Sequence, residues 1–154
     1  MKDIVDIDVI IDEKYRDLLV KLYADKHDSR VDNIVYAIEN AAHSDTSPVA
    51  AYDGGKLIFM PQREIFRIQV VNRRVMVETN EASFESKTAL SALEEQLDDS
   101  RFFRISQSEI INLYHVKSFD FSVSGTITVL FDNGKESWVS RRRVKALKDL
   151  LNRV

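Results

Sequence analysis

The spacing of apolar and polar positions changes character at Pro48. Ahead of it, residues 4–11 are rich in Ile and Val, with Asp3, Asp6, Asp8 and Asp12 in and around the run. That pattern predicts an edge strand whose carboxylates reach water. Residues 13–24 fit two periods: Tyr15, Leu18, Leu19 and Leu22 share a helical face, whereas Leu18, Val20 and Leu22 share one face of a strand. Val31, Ile34, Val35, Ile38 and Ala42 form a helical stripe, and Ser29 or Asp32 is placed to cap it. A helix is predicted over 31–43. Ser44-Asp45-Thr46-Ser47-Pro48 is turn-rich and is the best boundary in the chain.

Beyond Pro48 the chain reads as short strands and tight turns. Residues 49–52 and 56–60 flank Asp53-Gly54-Gly55, and residues 65–71 and 74–79 flank Asn72-Arg73. Phe84-Glu85 is a short extended piece. Ser86 precedes Ala89, Leu90, Ala92, Leu93 and Leu97, which predicts a helix over 87–98 with Ser86 as its cap. Residues 116–123 and 126–131 flank Ser124-Gly125, and 136–139 returns across Asp132-Asn133-Gly134, the strongest hairpin signal in the chain. A last helix is predicted from about Arg141, with Val144, Leu147 and Leu151 on one side. Residues 49–140 therefore hold about seven strands and one helix, the spacing of an antiparallel sandwich or barrel.

Composition narrows the chemistry. The 154 residues suffice for one full domain with a small companion. The chain has no cysteine, which removes disulfides, thiolate catalysis and cysteine-held metals and fits a reducing, cytoplasmic setting. The acidic N-terminus is not a signal peptide, and no run approaches the roughly 18 apolar residues of a membrane span. The net charge of −3 is unevenly spread: residues 1–48 carry 6 Lys/Arg against 11 Asp/Glu, residues 49–154 carry 16 against 14. An acidic front is thus joined to a neutral-to-basic back.

Three polar or basic clusters stand out in that back part. Asn72, Arg73 and Arg74 lie at a hairpin tip. Residues 101–113 place Arg104, Ser106, Gln107 and Ser108 between the apolar pairs Phe102-Phe103 and Ile110-Ile111, so the middle faces outward with donors suited to phosphates or base edges. Ser140 resembles an N-cap and is followed by Arg141, Arg142, Arg143 and Lys145. Cations in a first helical turn oppose the helix dipole, where a capping box would carry Glu. That local conflict marks an anion site, and DNA phosphate is the anion it suits. Enzyme signatures are missing. His27, His43 and His115 lack metal-ligand spacing, no nucleophile elbow or phosphate-cradling loop exists, and no cofactor, metal or small-molecule substrate is expected.

Residues 49–151 resemble the LytTR family of bacterial DNA-binding domains. The matching pieces, in order, are Ile65-Phe66 before a hairpin, Leu90-x-x-Leu93-Glu94-x-x-Leu97, Phe102-Phe103-Arg104-Ile105-Ser106-x-Ser108-x-Ile110-Ile111-Asn112-Leu113, Asn133-Gly134 and Val139-Ser140-Arg141-Arg142. The resemblance implies a mainly β fold, an elongated antiparallel sandwich of small sheets with one short helix, preceded here by a small α/β extension. Residues 1–48 are too short for a phosphorylation-receiver domain, and the resemblance favours strand over helix for 17–24. It further implies a transcription regulator that binds direct-repeat sites in double-stranded DNA as a homodimer through three loops, and a small membrane protein as inhibitor. The family's base-contacting positions fall on Arg73, on Ser106 and Gln107, and on Arg142. Ser106 stands where the family often has His. Arginine favours guanine and glutamine adenine, which points to Arg142 and Gln107 as readers, while Ser108, Arg141, Arg143 and Lys145 suit phosphates. Arg74 and Arg104 complete the expected surface. The alternative is a non-catalytic protein-interaction module that acts through the acidic residues 1–48.

Overall fold

The computed structural model describes residues 7–15, 19–42 and 47–153. These fall into two compact units, divided between Ser44 and Asp45. Among its described residues the first unit contains one regular element, α1 (Ser29–Ala42). Neither Ser29 nor Asp32 caps it. Asp28 Oδ1 accepts from the amides of Arg30 and Val31 at 3.0 and 3.4 Å, so the helix starts ahead of the predicted residue 31. The predicted edge strand is not found over residues 7–11, and residues 4–6 lie outside the described set. Residues 19–24 form no strand either, and 17–18 are also outside it. Ile and Val suit a pleated surface only when a neighbouring strand supplies ladder partners, and among the described residues Ile7, Val9 and Ile11 find none and are exposed.

The second unit holds ten strands, two α-helices and three 3-10 turns among its described residues. The strands are β1 (Val49–Asp53), β2 (Lys56–Met60), β3 (Ile65–Val71), β4 (Arg74–Thr79), β5 (Ser83–Ser86), β6 (Phe102–Ser106), β7 (Glu109–Asn112), β8 (Val116–Asp120), β9 (Ile127–Phe131) and β10 (Glu136–Val139). The helices are α2 (Leu90–Gln96) and α3 (Val144–Leu151). There are more strands than predicted because residues 101–113 are themselves a hairpin, β6–β7, and the short extended piece at Phe84-Glu85 is a paired strand, β5. One sheet runs β2-β1-β5-β4-β3-β7-β6, the other β10-β9-β8, and every pairing is antiparallel.

Local chemistry sets most boundaries. The β3–β4 turn uses Asn72 and Arg73 with φ of 50° and 65°, the two-residue turn whose twist matches that of the flanking strands. Asp120 Oδ1 accepts from Ser122 N at 2.8 Å and ends β8 before residue 123. Ser86 does not cap α2. Its Oγ accepts from Thr88 N at 3.1 Å in a turn of its own, Ala89 takes the cap position, and the helix is shorter than 87–98.

The large sheet is covered on two faces. Ile65, Ile68, Val77 and Ile110 pack with Leu90, Leu93 and Leu97 from α2 and its end. Phe66, Ile105 and Ile111 pack with Ile127, Val129, Phe131, Val139 and Leu147. Adjacent apolar residues, Ile65-Phe66 and Ile110-Ile111, thereby feed opposite cores, as the two-residue period of a strand requires. Each such side chain contributes about 1.5–3 kcal/mol relative to exposure. Asn112 is fully buried between these layers, donating from Nδ2 to Ile65 O at 2.8 Å and accepting from Tyr114 N at 3.0 Å.

Candidate nucleic-acid interface

The three clusters read from the sequence are joined at one end of the large sheet. β3 and β7 are neighbours and run in opposite directions, so the end of β3 lies beside the start of β7. Val70 N donates to Ser108 O at 2.8 Å, two residues before the Asn72-Arg73 turn. This ties the hairpin tip to the Ser106–Ser108 loop. On the other side Ser140 N donates to Ile105 O at 2.8 Å, and Arg143 Nε donates to Arg104 O at 2.8 Å. The Arg143 guanidinium also lies over the Phe103 ring, 4.9 Å from its centroid. The basic segment is thereby fastened to the strand that leads into the loop.

The loop is a tight connection between β6 and β7, and the ladder skips from Arg104–Ile110 to Ser106–Glu109. That irregularity leaves Ile105 without a ladder partner in the hairpin, and Gln107 and Ser108 form the connection beyond the Ser106–Glu109 pair. Ser106 Oγ accepts from Ser108 N at 3.2 Å and lies 3.3 Å from Ser108 Oγ. Gln107 and Ser108 are exposed and Ser106 is half-buried.

The predicted contact residues divide into two groups. Arg73, Arg141, Arg142 and Lys145 are exposed, and among the described residues their side chains make no hydrogen bond or ion pair. Arg74 is exposed with a long 3.8 Å pairing to Glu85. Arg104 is different. Its Nη1 donates to Glu94 Oε2 at 2.8 Å, its Nε to Ser106 O at 3.0 Å, and its Nη2 to Gln107 O. Its charge is turned to the loop backbone and to α2. Arg143 is half-buried, with Nε committed to Arg104 O.

The C-terminal helix starts later than the sequence predicts. Ser140 makes no side-chain cap bond; its carbonyl accepts from Arg143 N at 2.9 Å, and Arg141–Arg143 form a 3-10 turn ahead of α3. The three arginines stand before the α-helix, where they meet less of its dipole than in a first α-helical turn.

Sequence reasoning missed a buried ionic network behind the loop. Arg67, Glu78, Glu109 and Ser137 are each under a tenth exposed. Arg67 grips Glu78 through Nε–Oε2 at 2.5 Å and Nη2–Oε1 at 3.1 Å, and donates through Nη1 to Ser137 Oγ at 2.9 Å and Glu136 O at 3.1 Å. Ser137 Oγ donates to Glu109 Oε1 at 2.7 Å, and Gln69 Nε2 to Glu78 Oε2 at 2.8 Å. Burial pushes the Glu109 carboxyl up from its ordinary value; the Ser137 hydroxyl and the Arg67 charge oppose this, and the Glu78 charge adds to it. The network connects β3, β4, β7 and β10, and Glu109 is the residue that opens β7 directly after the loop. The one sequence signal was charged residues at inward positions of otherwise apolar strands.

The chain is similar to proteins of known family and fold. A family model described as the LytTr DNA-binding domain matches residues 55–152. An uncharacterized HTH-type transcriptional regulator of Staphylococcus aureus strain MSSA476 is 27% identical over 146 residues, 95% of this chain and 97% of that protein. A counterpart with the same description in strain NCTC 8325 is 26% identical over the same span, with the same coverage of both chains. Among solved structures, a LytTr DNA-binding domain from Bacillus cereus superimposes with a TM-score of 0.66 at 24% identity, covering 69% of this chain and 97% of that one.

Proposed function

From the premise that the chain belongs to the LytTr DNA-binding domain family, which its residues 55–152 match, we propose that it is a bacterial sequence-specific transcriptional regulator. It reads direct-repeat promoter sites in the major groove of double-stranded DNA through three loops and acts there as a homodimer. The observation that carries the reading is the joining of the three clusters by the Val70–Ser108, Ser140–Ile105 and Arg143–Arg104 hydrogen bonds. The relatives in Staphylococcus aureus, described as transcriptional regulators over nearly their whole length, support the same role.

The roles divide by chemistry. Arg73, Ser106, Gln107 and Arg142 read base edges; arginine offers a fork to guanine and glutamine a donor–acceptor pair to adenine. Arg74, Ser108, Arg141, Arg143 and Lys145 hold phosphates and fix the register. DNA binding belongs to residues 49–154, and residues 1–48 serve dimerisation or signal reception.

The test is selection of bound sequences from a DNA library by the purified full chain at two salt concentrations. Enrichment of a direct repeat with half-sites about one helical turn apart is expected. No enrichment at either salt would refute the reading and turn the search to a protein partner of residues 1–48.

A further inference from the structure

Five consecutive carbonyls in and before the recognition loop each accept a hydrogen bond from within the fold. Arg104 O is met by Arg143 Nε, Ile105 O by Ser140 N, Ser106 O by Arg104 Nε, Gln107 O by Arg104 Nη2, and Ser108 O by Val70 N. Carbonyl oxygens left pointing at DNA would repel phosphate and clash with acceptor-rich base edges. Here all of them are occupied. Two are held by a single guanidinium, and its remaining arm is held by Glu94 Oε2 of α2 at 2.8 Å. A planar fork can serve two carbonyls and a carboxylate at once, which an ammonium cannot do with the same geometry. The Arg104 side chain is 21% exposed, in contrast with 69% for Arg74.

We propose that Arg104 is a positioning residue for DNA reading: anchored by Glu94, it folds the Ser106–Ser108 loop so that its carbonyls point inward and its serine and glutamine side chains are presented. This rests on the DNA-reading role proposed above. It assigns function to an acidic residue, Glu94, that electrostatics alone would set against DNA binding. It also makes α2 part of the recognition apparatus, although α2 supplies no base reader.

The experiment compares the full chain with Arg104→Ala, Arg104→Lys and Glu94→Gln. Affinity for the selected site is measured across a salt series, together with base preference by library selection. Arg104→Ala should bind the selected site on the order of tenfold more weakly, since charge-assisted hydrogen bonds are lost, with an unchanged salt slope and blurred preference at the loop's base positions. Arg104→Lys should fail to restore it. Glu94→Gln should also lose specificity, although it removes a negative charge. A direct phosphate contact by Arg104 predicts the opposite on each count: a salt slope reduced by about one, equal loss on all sequences, and rescue by lysine. Tighter binding by Glu94→Gln would likewise overturn the proposal. A readout without DNA separates this inference from the reading beneath it. Amide exchange at Val70 should quicken in Arg104→Lys while amides in β9 keep their protection; unchanged exchange at Val70 would overturn the positioning role even if the full chain selects its repeat. If the full chain selects no DNA and Val70 exchange still responds, the loop device stands and the DNA reading falls.

Discussion

Replacing Arg67 by Met tests how much of the interface depends on the ion network behind it. The substitution keeps much of the stem's volume and removes the guanidinium. Glu78, 7% exposed, then retains only the bond from Gln69 Nε2 at 2.8 Å, and Glu109, 8% exposed, loses its neighbouring cation at 3.5 Å. Removing one partner of a buried, hydrogen-bonded pair costs about 3–5 kcal/mol, because the remaining charge is uncompensated. A domain of this size has about 5–15 kcal/mol in total. At roughly 4 °C per kcal/mol the midpoint should fall by about 15 °C. Urea unfolding followed by far-ultraviolet circular dichroism is the suitable assay; Trp138 is 59% exposed and would report poorly. Adding Glu78→Gln to Arg67→Met should recover part of the loss, because it removes the stranded charge. A loss below about 1 kcal/mol with an unchanged m-value would refute the argument and put the pair in the class of solvent-screened surface bridges.

Other expectations follow from single residues. Glu109→Gln should flatten part of the pH dependence: with the folded carboxyl pKa raised, the native state holds the proton more tightly, so its contribution is full below the ordinary value of 4.5 and is lost as pH rises through the raised one. Wild type should therefore lose stability relative to Glu109→Gln as pH rises over that window, measured by thermal melts; a gap independent of pH would contradict it. Arg73→Gly should stabilise the fold by about 0.5–1 kcal/mol, since Arg73 holds a φ of 65°, while weakening DNA binding; a destabilised variant in calorimetry would count against the strain. Arg142→Ala should cost about 1–3 kcal/mol on the selected site and relax one base position, whereas Lys145→Ala should weaken all sequences alike and flatten the salt slope by about one unit. Identical behaviour of the two variants in binding titrations would erase the distinction between reader and phosphate anchor.

Elements whose signals are local were legible along the chain. Asn72-Arg73 and Asp132-Asn133-Gly134 turn because Asn72 and Gly134 tolerate positive φ there, and their strands follow the two-residue period. Ile65-Phe66 read as the start of a strand and Ile110-Ile111 as an apolar anchor beside the loop, and only the structure showed that each pair feeds two cores. Features that depend on a partner distant in the chain emerged only with folding. Isoleucines and valines over 7–11 have no strand beside them among the described residues to complete a ladder, and they form none. The three arginines after Ser140 read as a first helical turn, yet the pull of Ile105 O on the Ser140 amide helps hold an extended residue and a 3-10 turn there. Arg104 read as one more exposed cation, because nothing in its neighbourhood of sequence names Glu94 as the carboxylate that turns it inward. Charge is legible from composition, but whether a charged group faces DNA or its own backbone depends on which acceptors folding brings within 3 Å.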